Sequence, residues 1–283
     1  MTFLDGVFKV LSAEELYVLW DNEFSEARRQ AIIEPFVSGP EVDVNLIMEN
    51  GKILFWEISD NEPSKFKFCY EQLSSLKFSS PAVGDNVMND TADAHTRTFK
   101  EVATSVPSTL SPSSQERLLA GAEHALQALG FAAGTGMFHT EARLDEVTGA
   151  AFTIEVNVRN SGRNWAQLVQ RVRGVDEVAC QFLGALGRPL AQATHPFNTP
   201  AVYGAYLRVA AVGEGVLAND PLEFVRGRDD VFGSITQPKG WEIVPHRTFK
   251  PAIAHCYVVS GDSMGDCRKR RFEVEHLISP KFV

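Results

Sequence analysis

The chain has 283 residues, with 44% hydrophobic and 22% charged side chains, a globular balance that excludes intrinsic disorder and supplies a core without disulfide or metal staples. Twenty-seven basic against 36 acidic residues leave a net charge of −9, which argues against nucleic acid as a partner, because phosphate contacts need a basic face. No stretch approaches the about 18 apolar residues of a membrane span, and Asp5, Glu14 and Glu15 argue against a signal peptide. A cytoplasmic protein without membrane contact is therefore expected. Cys69, Cys180, Cys256 and Cys267 lack CxxC or Cys/His ligand spacing and read as reduced thiols.

In chain order, Ser12-Ala13-Glu14-Glu15 is a capping box, and Leu16, Leu19, Trp20 and Phe24 continue a helical pattern expected to end near Arg29. The short apolar run from Ala31 to Val37 reads as a strand. Val42, Val44, Leu46 and Met48 alternate along a second strand. Glu49-Asn50-Gly51-Lys52 is a hairpin signal, and Ile53 to Ile58 is the partner strand. From about Asp60 to Thr98 periodicity disappears, the pattern of an insertion or a mobile active-site loop. Gln115 to Leu129 is an amphipathic helix with Leu118, Leu119, Ala122 and Leu126 on one side, stopped by Gly130. Met137–Leu144 and Ala151–Val156 read as paired strands with Gly149 at their turn. Trp165 to Leu186 is a long helical stretch, interrupted or bent near Gly174. From near residue 198, short strands such as Tyr203–Val212 and Ile253–Val259 alternate with Gly turns. Helices mixed with hairpins indicate an α+β protein, not a doubly wound parallel sheet.

The strongest chemical constellation lies in Met137–Arg163. Residues two apart in a strand share a face, so His139, Glu141 and Arg143 form one row and Glu155, Asn157 and Arg159 another. If the strands pair, Glu141 and Glu155 meet across the ladder. Two carboxylates and an amide oxygen are hard donors that suit Mg²⁺. The alternative is a solvated sheet face of mixed charge. Asn160-Ser161-Gly162-Arg163-Asn164-Trp165 then opens a helix. Its backbone N–H groups, with Arg159 and Arg163, suit a carboxylate or phosphate, or the segment is an ordinary N-cap with surface arginines. Between Ile33 and Val42, Glu34 and Glu41 flank a Ser-Gly-Pro turn that by chemistry alone is only a β-turn. His95, His195, His246 and His255 have no partner at metal or triad spacing, and no GxSxG, Walker A or GxGxxG stands in a suitable context.

Taken together, IIEPFVSGPEVDVNLI, GMFHTEARL, FTIEVNVR and GVDEVACQFLGALG resemble, in that order, the hinge, the paired metal-binding strands and the following helix of the ATP-grasp superfamily, over roughly residues 6–187. The resemblance implies an ATP-grasp nucleotide-binding fold. Residues 1–33 would be a remnant of the lid subdomain and 34–190 the large subdomain, with 60–98 its insertion or mobile loop. Residues 198–283 would form a β-rich C-terminal module. It also implies ATP and Mg²⁺ as cofactors, and a reaction that activates a small-molecule carboxylate as an acyl phosphate for attack by an amine. Glu34 would meet the adenine through its backbone carbonyl, Val37 through its backbone N–H, and Glu41 would accept from ribose hydroxyls. Glu141, Glu155 and Asn157 would hold Mg²⁺, and Arg159 would steady the transferred group. Arg163 and Asn164 hint at an anionic substrate group.

The resemblance also sets departures. Asp5-Gly6-Val7-Phe8-Lys9-Val10 resembles only the tail of the family's Gly-rich lid loop and the strand after it, and Lys9 reads as a plain strand lysine. The expected phosphate-binding lysines and first domain are missing, so the expectation is a truncated chain with slow or absent transfer, completed by a homodimer or by a partner supplying the N-terminal domain. A non-catalytic pseudo-ligase or interaction subunit is the competing reading. A metal-dependent hydrolase using Glu141 and Glu155 lacks an accompanying cluster of His and Asp.

Overall fold

The computed structural model describes residues 10, 12–21, 32–62, 103–194, 202–211, 214–244, 252–278 and 280–283. They divide between two units, Met1–Phe36 with Pro63–Lys100, and Val37–Glu62 with Glu101–Val283. Cys69, His95, His195 and His246 lie outside the described residues, as does nearly all of the 60–98 segment.

In the first unit, α1 (Ala13–Leu19) starts at the expected cap: Ser12 Oγ accepts from the Glu15 N–H at 3.2 Å. The stretch expected to carry this helix to Arg29 lies outside the described residues beyond Asp21. The apolar run before the Ser-Gly-Pro turn is not a strand. Residues 32–36 have no ladder partner among the described residues, and Ile32 is 91% exposed. Pro35 has no N–H to give a ladder, and apolar composition alone supplies no neighbouring edge.

The second unit is built on a sheet of eight strands in the order β5-β4-β1-β2-β3-β6-β10-β8, each neighbour antiparallel. The strands are β1 (Glu41–Glu49), β2 (Lys52–Glu62), β3 (Ala103–Val106), β4 (Gly136–Leu144), β5 (Ala151–Asn157), β6 (Tyr203–Ala210), β8 (Val231–Ile235) and β10 (Ala252–Ser260). Two short strands, β7 (Gly215–Val216) and β9 (Glu242–Ile243), pair separately. Asn50 and Gly51 both take positive φ, 52° and 78°, the type I′ geometry expected of the β1–β2 turn. Gly51 is needed twice over, since a Cβ there would lie 2.2 Å from the Ala132 carbonyl oxygen. β2 runs on to Glu62, so Asp60–Glu62 are strand and not the start of an insertion.

One face of β1, β2 and β4 presents Val42, Val44, Leu46, Met48, Ile58, Phe138 and Ala142 to Leu118, Ala122 and Leu126 of α2 (Pro112–Ala128). On the other face, Ile47, Phe55, Val106 and Met137 cluster with Trp165, Leu168, Val169 and Val172 of α3 (Arg163–Arg173) and Cys180 of α4 (Glu177–Ala185). Of the interruption or bend expected near Gly174, the structure has the interruption: Gly174 takes φ 72° and Asp176 caps α4, accepting from the Ala179 N–H at 2.9 Å.

Apart from the short β7–β9 pair, the C-terminal strands join the main sheet. β6 pairs with β3, and β10 and β8 follow it, extending the same sheet. A closing helix, α5 (Met264–Leu277), is absent from the sequence reading. Its buried stripe is only Met264, Cys267, Arg271 and Val274, with an arginine in the middle, so its apolar periodicity is weak.

Candidate functional site

The strand face opposite α2 carries polar residues in three parallel rows. Register partners place Glu155, Glu141, Asp43 and Ser59 on consecutive strands β5, β4, β1 and β2. Asn157, His139, Asn45 and Glu57 form the neighbouring row, and Arg143, Glu41 and Asn61 the row on the other side. The β4–β5 register shifts between Glu141 and Ala142, which leaves Ile154 as an extra residue in β5. Adjacent strands stand about 4.8 Å apart, so Glu141 has Asp43 one strand away on one side and Glu155 one strand away on the other.

Electrostatics follow from that crowding. Burial pushes the Asp43 carboxyl up to about 6, with Glu141 and Glu41 adding to the rise and the nearby His139 and the Asn61 hydrogen bond opposing it. For His139, burial pulls the imidazole down, but the Glu141 carboxylate and the Asp43 charge outweigh it and leave it raised. His139 Nε2 lies 3.7 Å from Glu141 Oε1, and its Nδ1 lies 2.8 Å from Asn45 Oδ1. Glu155 is exposed, and the half-buried Asn157 has an amide nitrogen unpaired among the described residues. Opposed carboxylates with an amide beside them have the composition of a site for a hard divalent cation.

The hinge residues are arranged around an arginine that sequence reasoning gave no role. Arg143 donates through Nε (3.1 Å) and Nη2 (2.6 Å) to Glu41 Oε2, and through Nη1 (3.1 Å) to the Val37 carbonyl. Glu41 is thus held at the start of β1, with acceptor capacity left on its carboxylate. Glu34 belongs to the other unit, in an exposed stretch without regular secondary structure.

After β5, the chain passes through Arg159, which is exposed and donates to the Asn160 carbonyl at 2.8 Å. Glu177, buried in the first turn of α4, accepts from the Ser161 hydroxyl and from the Ser161 N–H (3.3 Å). Burial raises the Glu177 carboxyl, partly offset by the two Ser161 hydrogen bonds. Arg163 and Asn164 open α3, and their side chains lie outside the described residues. Arg173, at the far end of α3, donates to the buried Glu57.

Two expectations need correction here. Glu141 does have an accompanying His and Asp: His139 and Asp43 each bring a ligand atom within 4.8 Å of it. Asp43 comes from β1, whose pairing to β4 is non-local. The only sequence signal was Glu41, Asp43 and Asn45 alternating with valines and leucines. His255 also has a partner, the Tyr206 hydroxyl at 2.7 Å, supplied by a neighbouring strand.

No family model matches the chain. The ATP-grasp enzyme fsqD of Aspergillus fumigatus is 26% identical over 166 residues, which is 51% of this chain and 25% of that protein. Among solved structures, the L-amino acid ligase of Bacillus licheniformis superposes with a TM-score of 0.68 at 20% identity, over 88% of this chain and 55% of that one. Phosphoribosylglycinamide synthetase from Anaerococcus prevotii gives 0.65 at 15% identity, over 99% and 63%. The biotin carboxylase domain of the Hydrogenobacter thermophilus 2-oxoglutarate carboxylase, solved with MgADP and bicarbonate, gives 0.63 at 17% identity, over 95% and 53%. The chain therefore spans less than two thirds of the length of each of these four proteins.

Proposed function

The chain has the ATP-grasp fold, and from that premise we propose that it serves an ATP- and Mg²⁺-dependent ligase joining a carboxylate to an amine. The observation that carries the reading is the lateral row of Asp43, Glu141 and Glu155, a density of negative charge that a bound cation relieves.

In this reading Glu141, Glu155 and Asn157 hold Mg²⁺, which supplies charge neutralisation at the ATP phosphates. The Val37 N–H meets the adenine. Glu41, steadied by Arg143, accepts from the ribose hydroxyls. A carboxylate oxygen of the substrate attacks the γ-phosphorus and ADP leaves, giving an acyl phosphate. The amine then attacks the acyl carbon, phosphate departs and the amine gives up a proton. Arg159 offsets charge on the transferred group, and Arg163 and Asn164 take the anionic end of a substrate. Glu177 contributes by fastening Ser161, two residues beyond Arg159.

Calorimetric titration with ATP, with and without Mg²⁺, tests the reading. Binding that requires Mg²⁺ in the native chain and is lost in Glu155→Gln is the expected result. Equal, metal-independent binding in both proteins would overturn it and favour a non-catalytic interaction subunit.

A further inference from the structure

Beside the carboxylates assigned to Mg²⁺, a chemically different donor set converges. One ligand atom each from Asp43, His139 and Glu141 falls within 4.8 Å of the other two. Asp43 and His139 are 5% and 6% exposed, so these are not surface groups that happen to cluster. Each of the two is also held from behind. Asn45 Oδ1 takes the hydrogen of His139 Nδ1 at 2.8 Å, which leaves the Nε2 lone pair directed to the Glu141 side. Asn61 Nδ2 donates to Asp43 Oδ1 at 2.8 Å and leaves the second carboxylate oxygen for another contact. Orientation of a histidine through its other nitrogen, and of a carboxylate through one oxygen, is the outer-shell pattern of metal ligands.

We propose that Asp43, His139 and Glu141 form a binding site for a divalent transition-metal ion, adjacent to the Mg²⁺ carboxylates and sharing Glu141 with them. An imidazole nitrogen favours Zn²⁺, Co²⁺ or Cu²⁺ over Mg²⁺, which takes oxygen ligands. Three protein ligands leave coordination positions for water or a substrate oxygen. All the donors and both supporting asparagines lie in one unit of the chain. The inference needs no nucleotide and does not rest on the ligase reading.

The test is a Co²⁺ titration of the chelator-treated, nucleotide-free full chain, followed by visible ligand-field absorption, with Zn²⁺ as competitor and millimolar Mg²⁺ throughout. One saturable equivalent, displaced by Zn²⁺ and absent from His139→Gln and Asp43→Asn, is expected. Asn45→Ala keeps the three ligands but frees the imidazole, and should weaken binding about 10–100-fold. Glu155→Gln should bind Co²⁺ as the native chain does, whatever it does to ATP. No saturable binding, binding retained in His139→Gln, or binding lost in Glu155→Gln would each overturn the proposal. Should the ligand variants fail to fold by circular dichroism, pulsed EPR of the native chain with one equivalent of Cu²⁺ decides. Nitrogen modulation from one imidazole supports the site, and its absence overturns it.

Discussion

The two faces of β1 are both removed from water, but for opposite reasons. Val42, Val44, Leu46 and Met48 enter an apolar layer closed by Leu118, Ala122 and Leu126. Asp43 and Asn45 are as thoroughly buried, among His139, Glu57 and Ser59. The first face stabilises the unit by about 25 cal/mol for each Å² of apolar surface removed from water. The second costs free energy wherever a polar group lacks a partner, roughly 1–3 kcal/mol each. Among the described residues Asn45 Nδ2, Glu57 Oε1, Ser59 Oγ and Asn157 Nδ2 are such atoms. The strands are thus anchored from one side so that the other can hold groups that would not choose to be there.

That contrast can be broken most strongly on the apolar side. Leu126 is fully buried, and Leu126→Ala should lower unfolding free energy by about 2–5 kcal/mol in urea denaturation. Mg²⁺-dependent nucleotide affinity per folded molecule should stay unchanged, since the site is on the other face.

On the polar side the expected signature is in pH. Burial pushes Glu57 from 4.5 up to about 7, against the pull of the Arg173 guanidinium. A raised carboxyl favours the folded state when protonated, so its contribution is complete below about 4.5 and is lost as pH rises through 7. Stability should fall by at most about 3 kcal/mol across that window. Asp43, raised from 3.8 to about 6, acts with the same sign over a lower range. Glu57→Gln should flatten the upper part of the curve of denaturation midpoint against pH, and an unchanged slope would show that Glu57 is ionised throughout.

The smallest effect is the sharpest. Glu155 directly opposes Glu141 and is exposed. At low ionic strength, without divalent ions, Glu155→Gln should raise stability by about 0.2–1 kcal/mol in thermal unfolding. A residue kept for structure would give a loss instead.

The sequence was most readable where structure is local. Alternation located β1, Asn50-Gly51 located the turn and with it β2, and β4 and β5 were readable as a pair around the Gly149 turn, because these follow from side-chain period and backbone sterics. Opposition of Glu141 and Glu155 was readable too, as their strands are joined by a short turn. Asp43 and Asn45 were not. The contact of Asn45 with His139 spans 94 residues, and nothing in a single strand tells which edge it will meet. The joining of β3 to β6 is hidden for the same reason. α5 escaped because Arg271 interrupts its buried stripe, and residues 32–36 misled because apolar composition was read without an available edge.

The extra residue in β5 has a consequence for how that strand tolerates change. Between the turn and Ile154, Ala151 and Thr153 stand opposite Leu144 and Ala142, on the side of α2; past it, Glu155 and Asn157 stand opposite Glu141 and His139. Counted without interruption from Ala151 and Leu144, Glu155 would fall opposite Thr140, which is buried on the α2 side. Ile154 therefore acts as a parity switch, letting one strand change allegiance midway. Straightening the bulge with Ile154 still in place would send two site side chains into hydrocarbon without altering either of them, whereas deleting Ile154 would leave a regular ladder with Glu155 still opposite Glu141.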